Sequence, residues 1–243
     1  MDETAAPKKR TFETYDVTVE AAELLSPHNK HLRFRLPAGR EIHFQAGQFV
    51  QMFIPLADGK ERRTAYSIAS SPRETGFFEL CVTRVEGGES STYLHGLKVG
   101  EAARCMGPLG TFKFVEDGRD SVFISTGSGI APFRAMINDR LERGKADPMY
   151  LIFGNRFVED ILYRKEWEAL ALAHGNFKAL FTLSRAAWDG PKGYVQAHID
   201  DFVPDPSSKN YYVCGLQNMI ESVRQKLETL GVPKERIRFE RYD

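Results

Sequence analysis

Two glycine-containing segments of the sequence have the residue types that hold phosphate groups. The first, STGSGIAPFRAM, covers residues 125–136 and follows an apolar run, so that Gly127 and Gly129 leave a short predicted strand and enter a helix. Such a loop points backbone N–H groups and the positive end of the helix at a ligand. Pro132 replaces the third glycine of the common dinucleotide fingerprint and suits a first helical turn. An ordinary strand-to-helix turn is the alternative interpretation.

The second segment, GGESSTYLHGL, covers residues 87–97. Its two glycines end a predicted strand, and Ser90, Ser91 and Thr92 open a predicted helix. Hydroxyl groups at a helix start either cap the helix or bind an anion. Phosphate binding at both segments would mean two phosphate-bearing ligands, one in each half of the chain.

The composition is that of a globular protein, with 42% hydrophobic and 27% charged residues in 243. Lys+Arg and Asp+Glu both number 33, and a net charge of zero argues against nucleic acid or an anionic membrane as the main partner. The apolar runs are too short to span a bilayer, and the polar start predicts no secretory leader. We therefore expect a cytoplasmic location, no stable membrane insertion and a disordered tail over residues 1–12.

The cysteines predict that no metal is held by this chain. Cys81, Cys105 and Cys214 are far apart in the sequence. Without a C-x-x-C pair they cannot build a zinc site or a cysteine-ligated iron–sulfur cluster on their own. Any cluster chemistry therefore belongs to a partner.

The hydrophobic pattern that must position these segments changes half-way along the chain. From about residue 15 to residue 115, short segments such as FFELCVTRV alternate apolar and polar residues between turns, which predicts an antiparallel barrel or sandwich. The second half alternates apolar strands with helices predicted near 132–143, 159–173 and 217–230, the pattern of a doubly wound parallel sheet. We place the domain boundary in the turn EDGRD, residues 116–120.

Six motifs spread over about residues 13–243 carry a resemblance to a known family. In chain order they are RRTAYSIASS, GGESSTYLHGL, GPLGTF, STGSGIAPFRAM, YYVCGLQNMI and the terminal RFERYD. Together they resemble the ferredoxin–NADP reductase superfamily. The resemblance implies an FAD-binding antiparallel Greek-key β-barrel over 13–116 and an NAD(P)-binding α/β domain with a doubly wound parallel sheet over 117–243, without a fused iron–sulfur domain. It also implies that G-x-G-x-x-P is this family's nucleotide loop.

The resemblance implies flavin-binding roles for the motif AYSIAS. Tyr66 would lie against the flavin ring system, and Ser67 would place its hydroxyl near the central-ring nitrogen that accepts hydride. Ile68 would follow them in the same cofactor-binding segment. A buried Tyr–Ser strand without a ligand is the alternative interpretation.

The arginine that would contact the flavin phosphate has two candidates. The family pattern has an arginine two positions before the tyrosine, where this chain has Thr64. Arg63 is adjacent but points to the other face of the strand unless a bulge intervenes, whereas Arg62 has the matching parity. The sequence leaves both candidates open.

Gly88, Ser91 and Thr92 match the family's pyrophosphate-binding helix start, and a cluster of helix amides favours FAD over FMN. Arg84, in the strand CVTRV, is a candidate contact to a phosphate or a ribose, with a solvated surface arginine as the alternative.

In the second half, the resemblance implies that Thr126, Gly127 and Gly129 cradle the pyrophosphate of a nicotinamide nucleotide. Cys214 and Gly215 match the family's Cys-Gly motif beside the nicotinamide, where the thiol would shape the pocket.

The terminal Glu240 and Tyr242 resemble the family's Glu-x-Tyr, whose tyrosine stacks over the flavin in plant-type members until nicotinamide displaces it. Here Asp243 follows the tyrosine. With Ser67 and Cys214, these two residues are the predicted residues of the hydride-transfer site, none of which forms a covalent intermediate.

The choice between NADPH and NADH depends on contacts to the adenosine 2′ position. Ser184 and Arg185 follow a predicted strand, with Lys192 downstream and Arg156 as a further candidate. A hydroxyl and an arginine suit a 2′-phosphate, because arginine binds it with two parallel hydrogen bonds. NADPH is slightly favoured as the co-substrate, since Ser-Arg pairs also occur in some NADH-using relatives.

The resemblance implies a flavin-dependent oxidoreductase that moves hydride from NAD(P)H to FAD and passes electrons to a separate carrier such as ferredoxin, flavodoxin or an oxygenase component. Two other classes stay open: a redox-sensing or regulatory subunit without turnover of its own, and a barrel that has lost its flavin and only binds a partner. We expect a monomer without a nucleic-acid partner. Turnover with an artificial dye acceptor separates an enzyme from a sensor.

Overall fold

The computed structural model describes residues 12–242. Of the tail predicted over residues 1–12, only Phe12 falls inside this range. Within residues 12–242, none of the helices combines the length and the apolar character needed to cross a membrane.

Six antiparallel strands form the first sheet. They are β1 (Glu13–Ser26), β2 (Asn29–Arg35), β3 (Phe49–Pro55), β4 (Glu61–Ser67), β5 (Phe77–Thr83) and β6 (Ala102–Leu109), in the spatial order β4-β3-β6-β1-β2-β5. The two outer strands approach each other, because Ile68 bridges to Leu80 and the Ala69 N–H donates to the Glu79 carbonyl at 2.8 Å. The sheet therefore curls into the barrel that the alternating pattern predicts.

Alternation along these strands fills the barrel. Val17 and Val19, Leu32 and Phe34, and the alternate residues of β5 point inward and are almost fully buried. The helix α1 (Glu89–Gly96) closes one end of the barrel, with Leu94 in the barrel core.

Five parallel strands form the second sheet. They are β7 (Ser121–Thr126), β8 (Met149–Asn155), β9 (Phe177–Leu183), β10 (Asn210–Gly215) and β11 (Ile237–Arg241), in the order β11-β10-β7-β8-β9. Every residue of β8 and β10 is buried. This burial follows from helices on both faces of the sheet.

Four helices accompany these strands. They are α2 (Ala131–Glu142), α3 (Arg164–Ala173), α4 (Ile199–Phe202) and α5 (Gln217–Thr229). One core cluster joins α2 and α3 to the sheet and also contains Ala69 and Cys81 of the barrel. The fold class predicted from the sequence, an antiparallel barrel followed by a doubly wound parallel sheet, is confirmed.

One predicted helix is interrupted. The run expected near 159–173 begins as a 3-10 turn at Val158–Asp160, and α3 starts only at Arg164. Tyr163 lies between them in the left-handed region, with φ of 57°, and breaks the helix. The other two predicted helices are present with shifts of one residue at their ends.

Candidate functional site

The end of β4 meets the ends of β10 and β11, and four side chains gather at this point. Ser67, the last residue of β4, donates a hydrogen bond from Oγ to Oε1 of Glu240 at 2.9 Å. Glu240 is the register partner of Cys214, and the Tyr242 N–H donates to the carbonyl of Gly215 at 3.1 Å. The structure thus brings together Ser67, Cys214, Glu240 and Tyr242, which we call the site junction.

The two ionisable groups of β10 and β11 at the site junction favour their protonated forms. Burial raises the pKa of Glu240, and the hydrogen bond from Ser67 offsets only part of this rise. Burial and the neighbouring Glu240 raise the pKa of the Cys214 thiol well above its usual range. Cys214 is therefore a packing group rather than a thiolate nucleophile, and Glu240 takes up a proton more readily than an exposed carboxyl.

Tyr242 supplies a test of whether a ligand fits this place. Its ring packs against the core cluster that contains Cys214, and its hydroxyl is buried beside Ser67 and Cys214 but makes no hydrogen bond of good geometry with any of residues 12–242. An unpaired buried hydroxyl costs about 1–3 kcal/mol. A polar ligand group at the site junction would satisfy it, so the arrangement fits a cofactor or substrate ring system here.

One face of β4 lies against the start of α1. Strand alternation puts Arg62, Thr64 and Tyr66 on this face. Thr64 Oγ1 lies 2.7 Å from Ser90 Oγ, and Arg62 Nη2 lies 2.9 Å from Oε2 of Glu89 in the first turn of α1. Because Tyr66 is half-buried on the same face, these side chains make a continuous surface from a ring platform to a helix start.

Arg63 is not part of this surface, which corrects one expectation from the sequence. The pairing of β4 with β3 has no register shift from Glu61 to Ser67, so no bulge turns Arg63 towards α1. Its guanidinium instead lies over the Phe53 ring, 5.0 Å from the ring centre. Arg62 is the arginine that the structure places beside α1.

The start of α1 is open to an anion. Gly88 occupies the N-cap position and no side chain caps the helix, so the first N–H groups lack an intrahelical partner. A Cβ at Gly88 would lie 3.0 Å from Ser91 Oγ, which makes glycine the fitting residue. The Ser91 hydroxyl accepts from the Val85 N–H at 3.0 Å and therefore braces the preceding loop. Thr92 and Arg84 are exposed beside it.

The loop after β7, Gly127–Ile130, is a second place where the backbone is open to a phosphate group. We call the start of α1 the flavin cradle and this loop the dinucleotide cradle. Gly127 has φ of +54°, and a Cβ there would meet nothing within 4 Å, so the backbone is open on that side. A Cβ at Gly129 would lie 2.4 Å from the Cys214 carbonyl, and one at Gly215 would lie 2.6 Å from Thr126 Oγ1. These two glycines let the loop press against β10 while Gly127 leaves room for a pyrophosphate.

The loops after β8 and β9 lie side by side. The N–H groups of Ser184 and Arg185 donate to the carbonyls of Asn155 and Arg156 at 3.0 and 3.2 Å. Both arginine side chains are exposed, as is Lys192. The pair of loops therefore presents cations at the edge of the second sheet.

Sequence reasoning missed two contacts that join the cofactor cradles to the barrel. Thr83 Oγ1 donates to Ser128 Oγ in the β7 loop at 2.7 Å, and Arg134 of α2 donates to the Ala69 carbonyl at 3.0 Å. Neither contact has a short-range signal, because the partners are 45 and 65 residues apart. The one sequence signal is Arg134 itself, because an arginine in the otherwise apolar start of α2 indicates a polar partner elsewhere in the chain.

Comparison with known proteins agrees with this geometry. Residues 16–114 match the model of the oxidoreductase FAD-binding domain, and residues 123–225 match that of the oxidoreductase NAD-binding domain. The chain is 40% identical over 242 residues to ferredoxin–NADP reductase B of Sorangium cellulosum, across 95% of this chain and 98% of that protein. This chain belongs to the ferredoxin–NADP reductase superfamily.

Two further members show how widely the fold is used. The phenol hydroxylase P5 protein of Acinetobacter pittii is 34% identical over 236 residues, across 94% of this chain and 65% of that protein. A ferredoxin NADP⁺ reductase from Neisseria gonorrhoeae, solved with FAD and NADP, superimposes with a TM-score of 0.81 at 21% identity, across 94% of this chain and 97% of that one. The latter similarity concerns the fold.

Family membership fixes the class of chemistry. The protein is an NAD(P)H-dependent flavoprotein reductase that uses FAD and transfers electrons from NAD(P)H to a partner. The open helix start at Gly88, the open backbone at Gly127 and the unpaired hydroxyl of Tyr242 fit these two ligands.

Proposed function

We propose that the protein passes its electrons to a separate carrier protein, namely ferredoxin, flavodoxin or an oxygenase component. The contact of Ser67 with Glu240 joins the strand beside the flavin cradle to the strand beside the dinucleotide cradle, which supports entry of the electrons through the flavin. The similarity to a ferredoxin–NADP reductase over nearly the whole of both chains supports a separate carrier.

We assign the two cradles to two domains, a flavin-binding domain over 13–116 and a nucleotide-binding domain over 117–243. In the first, Tyr66 provides the ring platform, Arg62 and the start of α1 hold the phosphates, and Thr64 fixes Ser90 in that helix. The family-model matches support this division. FAD, when bound, accepts a hydride from the nicotinamide and releases electrons to the acceptor.

The residues of the site junction position the reacting groups rather than react themselves. Glu240 accepts the Ser67 hydrogen bond and so fixes the direction of that hydroxyl. The raised pKa of Glu240 lets its carboxyl take up a proton more readily than an exposed glutamate as charge changes nearby. Cys214 and the ring of Tyr242 exclude water from the same place.

NADPH is the proposed co-substrate. Arg185 and Arg156 lie on adjacent loops and are exposed, and Ser184 precedes one of them, which suits a 2′-phosphate. We expect Arg185→Gln to lower kcat/KM for NADPH about tenfold or more and to leave NADH unaffected. Equal losses for both nucleotides would remove this assignment.

Turnover tests the carrier proposal. With NADPH and ferricyanide, the enzyme is expected to turn over without any carrier, whereas reduction of cytochrome c should depend on added ferredoxin or flavodoxin. A protein that binds flavin and nucleotide but reduces neither acceptor would be the sensor or regulatory subunit instead.

We also propose a monomer in the cytoplasm. The three cysteines are unpaired and buried, which suits a reducing compartment. Light scattering of the purified protein checks the first point, and fractionation of the native cells checks the second.

A further inference from the structure

Charged side chains form a second contact between the barrel and the second half of the chain, here with the helices α2 and α3. Glu79 of β5 is 3% exposed, and its Oε2 accepts from Arg134 Nη1 of α2 at 2.5 Å. Its other oxygen accepts from Arg33 at 2.6 and 2.8 Å. Burial alone would raise the pKa of Glu79, but His31 and Arg134 outweigh it and hold the pKa well below its usual range. We call Glu79, Arg134 and Glu166 the charged junction.

The guanidinium of Arg134 has partners on several sides. Its Nε lies 2.9 Å from both carboxylate oxygens of Glu166 on α3, and its Nη1 also donates to the Ala69 carbonyl at 3.0 Å. The Tyr163 ring lies 4.7 Å away. Asn138, one turn further along α2, donates to the same Glu166 at 3.0 Å. Arg134 therefore binds the barrel through Glu79 and Ala69 and binds α3 through Glu166 at the same time.

The residues of the charged junction and their partners lie close in the chain to both cofactor cradles. Arg134 lies in the first turn of α2, which begins immediately after the loop Gly127–Ile130. Ala69 lies two residues after Ser67, beyond the end of β4. The hydrogen bond from Arg134 to the Ala69 carbonyl thus joins the helix behind the dinucleotide loop to the segment behind the site junction.

We propose that Arg134 is a positioning residue that sets the placement of the nicotinamide relative to the flavin by fixing α2 against the end of β4. This inference rests on the proposed function. Hydride transfer needs the two rings in close contact, and a misplacement of about 1 Å can slow a reaction about hundredfold. The planar fork of arginine reaches Glu79, Glu166 and the Ala69 carbonyl together, whereas a lysine ammonium is a single point.

Arg134→Lys tests the proposal, because it keeps the positive charge beside Glu79 and removes the fork. Arg164→Lys is the matched control, since Arg164 pairs at 2.7 Å with Glu168 of its own helix and is well exposed. Three properties are measured in FAD-loaded protein: the rate of flavin reduction at saturating NADPH, the Kd for oxidised nucleotide, and the long-wavelength absorbance of a nicotinamide stacked on the flavin ring.

We expect Arg134→Lys to slow flavin reduction about tenfold to hundredfold and to weaken the stacking absorbance, while the Kd stays the same because the phosphate loop is intact. Arg164→Lys should match the wild type in all three properties. A purely structural role would lower the folded fraction and leave the rate and absorbance of the folded protein unchanged, and that result would overturn the proposal.

A second variant keeps the test decisive if Arg134→Lys does not fold. Glu166→Gln leaves the pair of Arg134 with Glu79 intact and weakens only the orienting contact on α3. It should slow flavin reduction by a smaller factor, again with unchanged Kd, and a wild-type rate would contradict the proposal. Wild-type protein that neither NADPH nor NADH reduces would instead remove the proposed function itself.

Discussion

The charged junction and the site junction join the same two parts of the molecule with opposite electrostatics. Each contains a glutamate at the barrel–sheet boundary, almost fully buried in the case of Glu79 and half-buried in the case of Glu240. Glu79 has arginine partners and a lowered pKa, whereas Glu240 has a serine hydroxyl and a raised pKa. Burial raises the pKa of both carboxyls; His31 and Arg134 outweigh this rise at Glu79, whereas the Ser67 hydrogen bond offsets only part of it at Glu240.

This electrostatic difference indicates that the charged junction holds the two halves of the chain together, whereas the site junction takes part in the reaction. At the charged junction both oxygens of Glu79 accept hydrogen bonds, so the desolvated charge is compensated. Among residues 12–242, Glu240 at the site junction has no cation partner, and the Tyr242 hydroxyl makes no hydrogen bond of good geometry. Perturbed and incompletely satisfied groups of this kind cluster at functional sites.

The largest effect is expected at the charged junction. Glu79→Gln removes the buried charge that compensates Arg134, and breaking a buried pair in this way costs about 3–5 kcal/mol of unfolding free energy. Glu168→Gln breaks an exposed pair with Arg164 and should cost below about 1 kcal/mol. Urea unfolding of both variants measures the two losses of unfolding free energy. Equal losses would contradict the distinction between the buried pair and the exposed pair.

A large loss of rate with a smaller loss of stability is expected at the site junction. Ser67→Ala removes the hydroxyl that Glu240 orients and should slow flavin reduction about tenfold to hundredfold. Ser71→Ala is the matched control, since Ser71 donates to Glu142 of α2 at 2.5 Å, outside the site. Stopped-flow reduction by NADPH should show the slow step in the first variant alone. Similar rates in both variants would place Ser67 outside the transfer step.

A smaller effect distinguishes the two neighbouring arginines of β4. Arg62→Gln should weaken FAD binding about tenfold, because Arg62 faces the start of α1 and a charge-assisted bond to phosphate is lost. Arg63→Gln removes the same charge on the other face and should leave the FAD affinity unchanged. Fluorescence titration of apoprotein with FAD measures both. The reverse order would show that the strand turns Arg63 inward when flavin binds.

The smallest predicted effect is a pH-dependent change in melting temperature when Glu240 is replaced. The pKa of Glu240 is raised on folding, so its contribution to stability is present at low pH and is lost as pH rises through the raised pKa. Glu240→Gln should therefore raise the melting temperature by a few degrees at pH 8, with the gain vanishing below the unfolded pKa of about 4. Glu79, with its lowered pKa, should give the opposite sign at pH 8. A loss of stability in Glu240→Gln at pH 8 would contradict the account.

Local pattern sufficed for the strands, the order of the two sheets and the positions of the glycine-containing loops before α1 and after β7. Alternation in FFELCVTRV and the glycines of STGSGIAP each act within a few residues, so the sequence displays them directly. It did not display the break at Tyr163, because tertiary contacts hold a non-glycine residue at positive φ there. Nor did it show that Ser91 braces a loop or that β4 lacks a bulge beside Arg63, since the first depends on a contact between a loop and a helix and the second on the register between β3 and β4.

The pairing of Glu79 with Arg134 was equally invisible. The two residues are 55 positions apart, and each lies in a segment whose neighbours are apolar. Without an alignment of pairs that vary together, only the folded structure shows that one charge compensates the other. The same holds for Ser67 and Glu240, which the family resemblance named separately and the structure brings into contact.

An anaerobic absorption spectrum of the FAD-loaded protein, titrated in parallel with NADPH and NADH, tests most directly whether the two cradles act on one another at the site junction. We predict a yellow protein that stoichiometric NADPH bleaches, with NADH needed at higher concentration. A protein that stays colourless after incubation with FAD, or a yellow protein that neither nucleotide bleaches, would contradict the assignment of Ser67, Glu240, Cys214 and Tyr242 to hydride transfer.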